Sequence, residues 1–128
     1  MDINWIAVLV AAVSAFVLGG IWYGPIFGKT WMGLVGVTEE SMKEANMGKI
    51  YGTAFLLNLV AVAAFAMFLG DVDPATGAMY GFVAGLGWVA TSFGISYLFE
   101  GRPLGLWLVN GGYHTLQFTL FGLILGLF

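Results

Sequence analysis

Apolar residues fill four long stretches of this chain, Ile3–Tyr23, Ile50–Leu69, Ala78–Phe99 and Leu104–Phe128, and charged residues collect in the connections between them. Each stretch is apolar on almost every face. It shows neither the two-residue alternation of a half-buried strand nor the single stripe of a surface helix. About twenty helical residues, rising about 1.5 Å each, cross the hydrocarbon core of a bilayer, which is about 30 Å thick. The pattern therefore predicts an all-α fold, a polytopic bundle of four transmembrane helices. Its spans fall at about residues 3–23, 50–69, 78–99 and 104–128 of one integral membrane domain, 1–128. Barrel strands are short and alternating and do not fit.

The polar connections carry their own signals. The first span is expected to end in "GGIWYGPIFGK", because Pro25 cannot continue a helix and Gly24 and Gly28 permit a sharp turn. Trp22, Tyr23, Pro25, Lys29 and Trp31 are read as an anchor at headgroup level. "TWMGLVG" is expected to lie along the membrane surface. A short interfacial or cytoplasmic helix follows between the first two spans, in "TEESMKEANM", with Thr38 as N-cap and Glu39 and Glu40 at its positive end. Glu40 and Glu44 read as a solvated face rather than a cation site, since no His or third ligand is near. "FEGRP" makes a minimal turn into the fourth span, placing Glu100 and Arg102 at the interface.

Charge then orients the bundle. Only 9% of the residues are charged, against about a quarter in a soluble domain. Lys29, Lys43 and Lys49 lie in the first connection and Arg102 in the third, whereas the second, "GDVDPATG", has Asp71 and Asp73 and no cation. Cations accumulate on the cytoplasmic side. The expected placement is a bacterial inner (plasma) membrane with both termini on the non-cytoplasmic side. "MDIN" has an acid and no cation, and no cleavage site follows, so the first span reads as retained. The absence of cysteine removes disulfides, thiolate metal sites and covalent haem attachment. A net charge of −3 implies no nucleic-acid surface.

The fourth span contains "NGGYHTLQFT". Asn110, His114 and Gln117 recur at i, i+4 and i+7, on one helical stripe, with Tyr113 beside it. Asn58 of the second span and Trp88, Thr91 and Ser92 of the third fall at similar depth. Lipid offers such groups no partner, so they are expected to face other helices. The preferred reading is a hydrogen-bond network that fixes helix register, worth about 0.6 kcal/mol per bond. The alternative is a site or path for a small solute or ion, with His114 as the group that titrates near neutrality. Haem ligation by His114 would need a second axial ligand from Met or another subunit. No cofactor or metal is expected. No carboxylate lies in any span, so the acid of proton-coupled small exporters is missing, and Ser92 and His114 have no acid to orient them. The expectation is a protein without enzymatic activity.

Small residues recur every fourth position at Ala7, Ala11, Ala15 and Gly19, and again at Gly77, Gly81 and Gly85. Such stripes let membrane helices touch backbone to backbone, either within the bundle or between subunits. A homo-oligomer, with a dimer favoured, is the expectation. "FLLN" (Phe55–Asn58) and "WLVN" (Trp107–Asn110) would fit two parallel hairpins, but chance similarity of apolar helices is the preferred reading.

Across nearly its whole length the sequence resembles the small bacterial and fungal membrane proteins catalogued as domain of unknown function 1761. The resemblance is carried by "WYGPIFGKTW" (Trp22–Trp31) and by the Asn-Gly-x-Tyr-His stretch at Asn110–His114. It implies a four-helix membrane fold and no particular activity, substrate or cofactor.

Overall fold

The structure, a computed structural model, describes residues 3–128. Met1 and Asp2, on which the reading of "MDIN" partly rests, lie outside them. Every regular element among the described residues is helical. Helix α1 (Trp5–Ile21) starts beneath Asn4, whose side chain accepts from Ala7 N–H at 3.1 Å. That bond satisfies one of the donors a helix start leaves open.

The helical path does not stop at Pro25. It continues as a wide π turn, Trp22–Ile26, in which Phe27 N–H donates to Trp22 O at 2.8 Å. Proline lacks an N–H and crowds the carbonyl four residues back. A turn closed over five residues relieves that clash. Helix α2 (Gly28–Val35) then leaves at a position only glycine can hold, since a Cβ on Gly28 would lie 2.6 Å from Tyr23 O. In α3 (Glu39–Glu44) Thr38 is the N-cap as expected, and Ser41 returns the bond to Thr38 N–H at 3.0 Å.

The next two long helices both begin earlier than hydropathy places them. Asn46 caps α4 (Met47–Leu69) by accepting from Lys49 N–H at 3.1 Å. Asp73 caps α5 (Pro74–Ala84), where Pro74 takes a first-turn position that needs no N–H. A second π segment, Gly85–Ala90, joins α5 to α6 (Thr91–Glu100) in one continuous helix. Helix α7 (Leu104–Leu127) follows a turn at Gly101, whose φ of 70° is left-handed.

Three helical stretches, Trp5–Ile26, Met47–Leu69 and Pro74–Glu100, are long and apolar enough to cross a membrane. Large apolar side chains are exposed along them, among them Trp5, Leu57, Val60, Phe68, Leu98 and Phe99. Water-soluble domains do not expose such continuous apolar faces. Helix α7, read from the sequence as the fourth span, does not join them on hydropathy. Asn110, Tyr113, His114 and Gln117 lower its apolar character. Of the four long helices it buries the most residues instead, and it lies against α1, α4, α5 and α6.

Small side chains make that central position possible. Ala7, Ala11 and Ala15 are fully buried, and Val8, Ala11, Ala12 and Ala15 form an apolar core with Val62, Phe65 and Leu69 of α4 and Phe121 and Ile124 of α7. Gly19 lies under the Tyr113 ring, 3.2 Å from its hydroxyl at the Cβ position. On the other flank, a Cβ on Gly77 would collide with the Gly122 carbonyl, and one on Gly81 with the Phe118 carbonyl. Gly85 has the His114 carbonyl 2.8 Å from its Cβ position. Both small-residue stripes, expected to serve packing or an oligomer face, are therefore taken up inside the chain. Helix α4 packs on α1 and α7, and its Val62, Phe65 and Leu69 share the apolar core with Ala84 of α5.

Candidate functional site

The polar stripe of α7 forms two hydrogen-bonded strings. In the first, Tyr23 Oη donates to Asn110 Oδ1 at 2.6 Å, and Asn110 Nδ2 donates to Tyr97 Oη at 2.7 Å. This string ties the π turn after α1 to α7 and α6. In the second, Gln117 Nε2 donates to Asn58 Oδ1 at 2.6 Å, linking α7 to α4. Gln117 Oε1 lies 2.6 Å from His114 Nδ1. An amide oxygen only accepts, so Nδ1 carries the imidazole proton and Nε2 a lone pair.

Aromatic rings hold the stripe in place. The His114 ring stacks on Phe93 of α6, with centroids 5.0 Å apart and planes at 11°, and meets Tyr113 edge-on at 5.0 Å. Tyr113 Oη donates to the Ala15 carbonyl at 3.1 Å. Trp22 Nε1 donates to Val109 O at 2.9 Å and Trp107 Nε1 to Ala90 O at 2.7 Å. Among the described residues, no fully buried side-chain nitrogen or oxygen lacks a partner.

The strings occupy one half of α7. Towards Leu127 the helix is enclosed by the apolar core around Val62, Phe65, Leu69 and Phe121. The polar groups thus extend inward from the end shared by Tyr23, Tyr97 and Asn110 and stop at Asn58 and Gln117. Among the described residues no three His, Asp or Glu side chains converge as metal ligands.

Asn58, Asn110, Tyr113, His114 and Gln117 are brought together by this arrangement. Trp88, Thr91 and Ser92 are not. Trp88 is 69% exposed, Thr91 Oγ1 donates to its own helix at Gly87 O (2.7 Å), and Ser92 Oγ to Trp88 O (2.5 Å). The π segment is the reason. Steps of four through Gly77, Gly81 and Gly85 lead on to 88 or 89 and then 92, but a π turn inserts one residue and rotates the helix beyond it. Ala90 and Gly94 inherit the inner face: Ala90 is buried, and a Cβ on Gly94 would lie 2.9 Å from Trp107 Nε1.

Two contributors, Phe93 and Tyr97, are not evident from the sequence, since the extra residue that turns them inward leaves no compositional mark. Of the five residues read as an interface anchor, Trp22 and Tyr23 bond directly to α7, and Trp31 packs edge-on against Tyr23 at 5.9 Å. Lys29 and Pro25 are exposed. Asp73, outside the apolar helices, is held below the ordinary aspartate range by its hydrogen bond from Thr76.

Residues 6–126 match the model of a family described as protein of unknown function (DUF1761). The chain belongs to that family. The match runs from α1 to the last turn of α7 and takes in every residue of both strings. No curated protein and no solved structure matches the chain. Within DUF1761, chemistry has to be argued from the site itself.

Proposed function

We propose that this DUF1761 protein is a four-span integral membrane protein with a structural or accessory role and no enzymatic activity, in which the polar strings of α7 lock the helices in register. The reading places it in a bacterial plasma membrane with both termini outside. The observation that carries it is that the amides of Asn110 and Gln117 bond to α6, to the turn after α1 and to α4 at once. In hydrocarbon those groups find partners only on other helices. Helix α7 has 24 residues, or about 36 Å of rise, and turns its polar groups towards three apolar helices. That supports its being the fourth span.

The apolar core beyond Gln117 argues against a conducting path within one chain. A through-path needs polar lining or water along its length, and the Val62–Phe65–Phe121 half supplies neither. The strings are completed within a single chain, so the lock needs no second copy.

The chain has no cysteine, which makes topology directly testable. Cysteines placed singly at Ser41 and Asp71 are expected to react with a membrane-impermeant maleimide from opposite sides of inverted and right-side-out vesicles. Reaction of both from one side would overturn the span count. For the lock, Asn110→Leu is expected to lower thermal stability in mild detergent, with no ion flux across reconstituted liposomes before or after substitution. Flux through the unsubstituted protein would reject it.

A further inference from the structure

Trp88 stands at an unfavourable depth for a lipid-facing indole. Tryptophan rings of membrane proteins gather at the headgroups, where the ring meets acyl chains and the N–H meets water. Trp88 is 69% exposed, yet it lies at the middle of the 27-residue stretch Pro74–Glu100. Trp22 and Trp107 give their N–H groups to Val109 O and Ala90 O, but that of Trp88 has no acceptor among the described residues.

It is not alone on that face. Thr91 Oγ1 reaches back to Gly87 O and Ser92 Oγ to Trp88 O, so these four residues adjoin, and Ser96 follows Ser92 by four positions. All five are exposed. Thr91 and Ser92 have used their O–H groups within the helix, but their oxygens can still accept. The Ser96 hydroxyl has no partner among the described residues, and nothing lies within 4 Å of a Cβ on Gly87.

We propose that this face of the second π segment and α6 is the contact between two copies of the chain, related by a two-fold axis along the membrane normal. The proposal rests on Pro74–Glu100 spanning the bilayer, and it adds a partner to the four-span reading. The choice of a second copy follows from complementarity. The patch holds a free donor, the indole N–H, about one turn from acceptors, the Thr91 and Ser92 oxygens. A two-fold contact sets such a patch against itself, so each indole donates to a hydroxyl of the other protomer. Copies inserted in one orientation meet at equal depth, which this pairing requires. Acyl chains offer neither donor nor acceptor, and headgroups and water stay near the ends of the span. Gly87, with no side chain, lets the two helices come close at the level of Trp88.

The chain has no cysteine, so Ser96→Cys can be compared in phosphatidylcholine vesicles with Leu57→Cys, on the exposed face of α4. Oxidation is expected to give a disulfide-linked dimer from Ser96→Cys and none from Leu57→Cys. Energy transfer between donor- and acceptor-labelled Ser41→Cys proteins is expected to persist on dilution with lipid. Trp88→Phe, which keeps a ring and removes the N–H, is expected to weaken that association about tenfold. Gly87→Leu is expected to abolish it, with the ¹⁵N resonances of the single His114 unchanged. Transfer that falls to background when the parent protein is diluted would overturn the proposal, lipid then covering the face. Undiminished association in both variants, or cross-linking through Leu57→Cys alone, would put the contact elsewhere and overturn it too. Labelling of Ser92→Cys by a membrane-impermeant maleimide would mean that Pro74–Glu100 does not span, and the reading beneath the proposal would fail.

Discussion

Gln117 Nε2 donates to Asn58 Oδ1 across 2.6 Å, and both side chains are buried, at 6% and 7% exposure. This is the polar link between α4 and α7, and Gln117 is held for it by His114 on its other side. Truncating one partner leaves the other unpaired in a medium that offers no replacement. Gln117→Leu or Asn58→Leu is expected to lower the unfolding free energy in mild detergent by about 1–2 kcal/mol. The double variant is expected to cost less than the sum of the two, by about 1 kcal/mol. Additive losses would mean that the two amides do not act together.

The α5–α7 contact should be far less forgiving. A Cβ on Gly81 meets the Phe118 carbonyl, which is backbone and has no freedom to swing aside, whereas one on Gly87 meets nothing within 4 Å. Gly81→Ala is expected to destabilise by about 1–3 kcal/mol, and Gly81→Leu to prevent recovery of a folded monodisperse protein. Gly87→Ala, on the same helix, should stay within about 0.5 kcal/mol of the parent. Equal tolerance at both positions would contradict the close approach.

Thr91 and Ser92 bond only to their own helix and face outward. Thr91→Val and Ser92→Ala are therefore expected to shift detergent stability by no more than about 0.5 kcal/mol, with the His114 resonances unchanged. A large loss at either would return them to the polar layer and contradict the rotation assigned to the π segment.

Asp73 caps α5, and the hydrogen bond from Thr76 holds its carboxyl below the ordinary aspartate range. A carboxylate depressed in the folded state contributes stability above its unfolded pKa and loses it as the pH falls through the folded value. The thermal stability of the parent should therefore decline more than that of Asp73→Asn between about pH 6 and about pH 3. Parallel pH profiles for the two proteins would show that the charge of the carboxylate adds nothing to the cap.

Much of this fold is written in hydropathy. Four apolar runs became four long helices, and Asn110, His114 and Gln117 do share a stripe because α7 is regular from Leu104 to Leu127. The helix starts were harder: Asn46 and Asp73 each cap a helix several residues before its apolar run begins, and a capping side chain looks like any loop residue until its N–H partners are known. The inward face of α6 was not legible. One additional residue in the turn Gly85–Ala90 moves Ser92 out and Tyr97 in, and a local change of pitch has no signature in composition. Pro25 misled in a different way, since the chain widens its turn rather than ending the helix.

The modest hydropathy of α7 also bears on how the protein is made. A segment bearing two carboxamides and an imidazole gains little by partitioning alone into lipid, and its glycines gain nothing until another backbone lies against them. The helices that complete it, α1, α4 and the α5–α6 rod, all precede it in the chain, so they are already present when α7 leaves the ribosome. Under the proposed four-span reading, membrane integration of α7 is a docking event on a preformed cradle, and a lesion in Gly77, Gly81 or Asn58 should surface first as a failure of biogenesis.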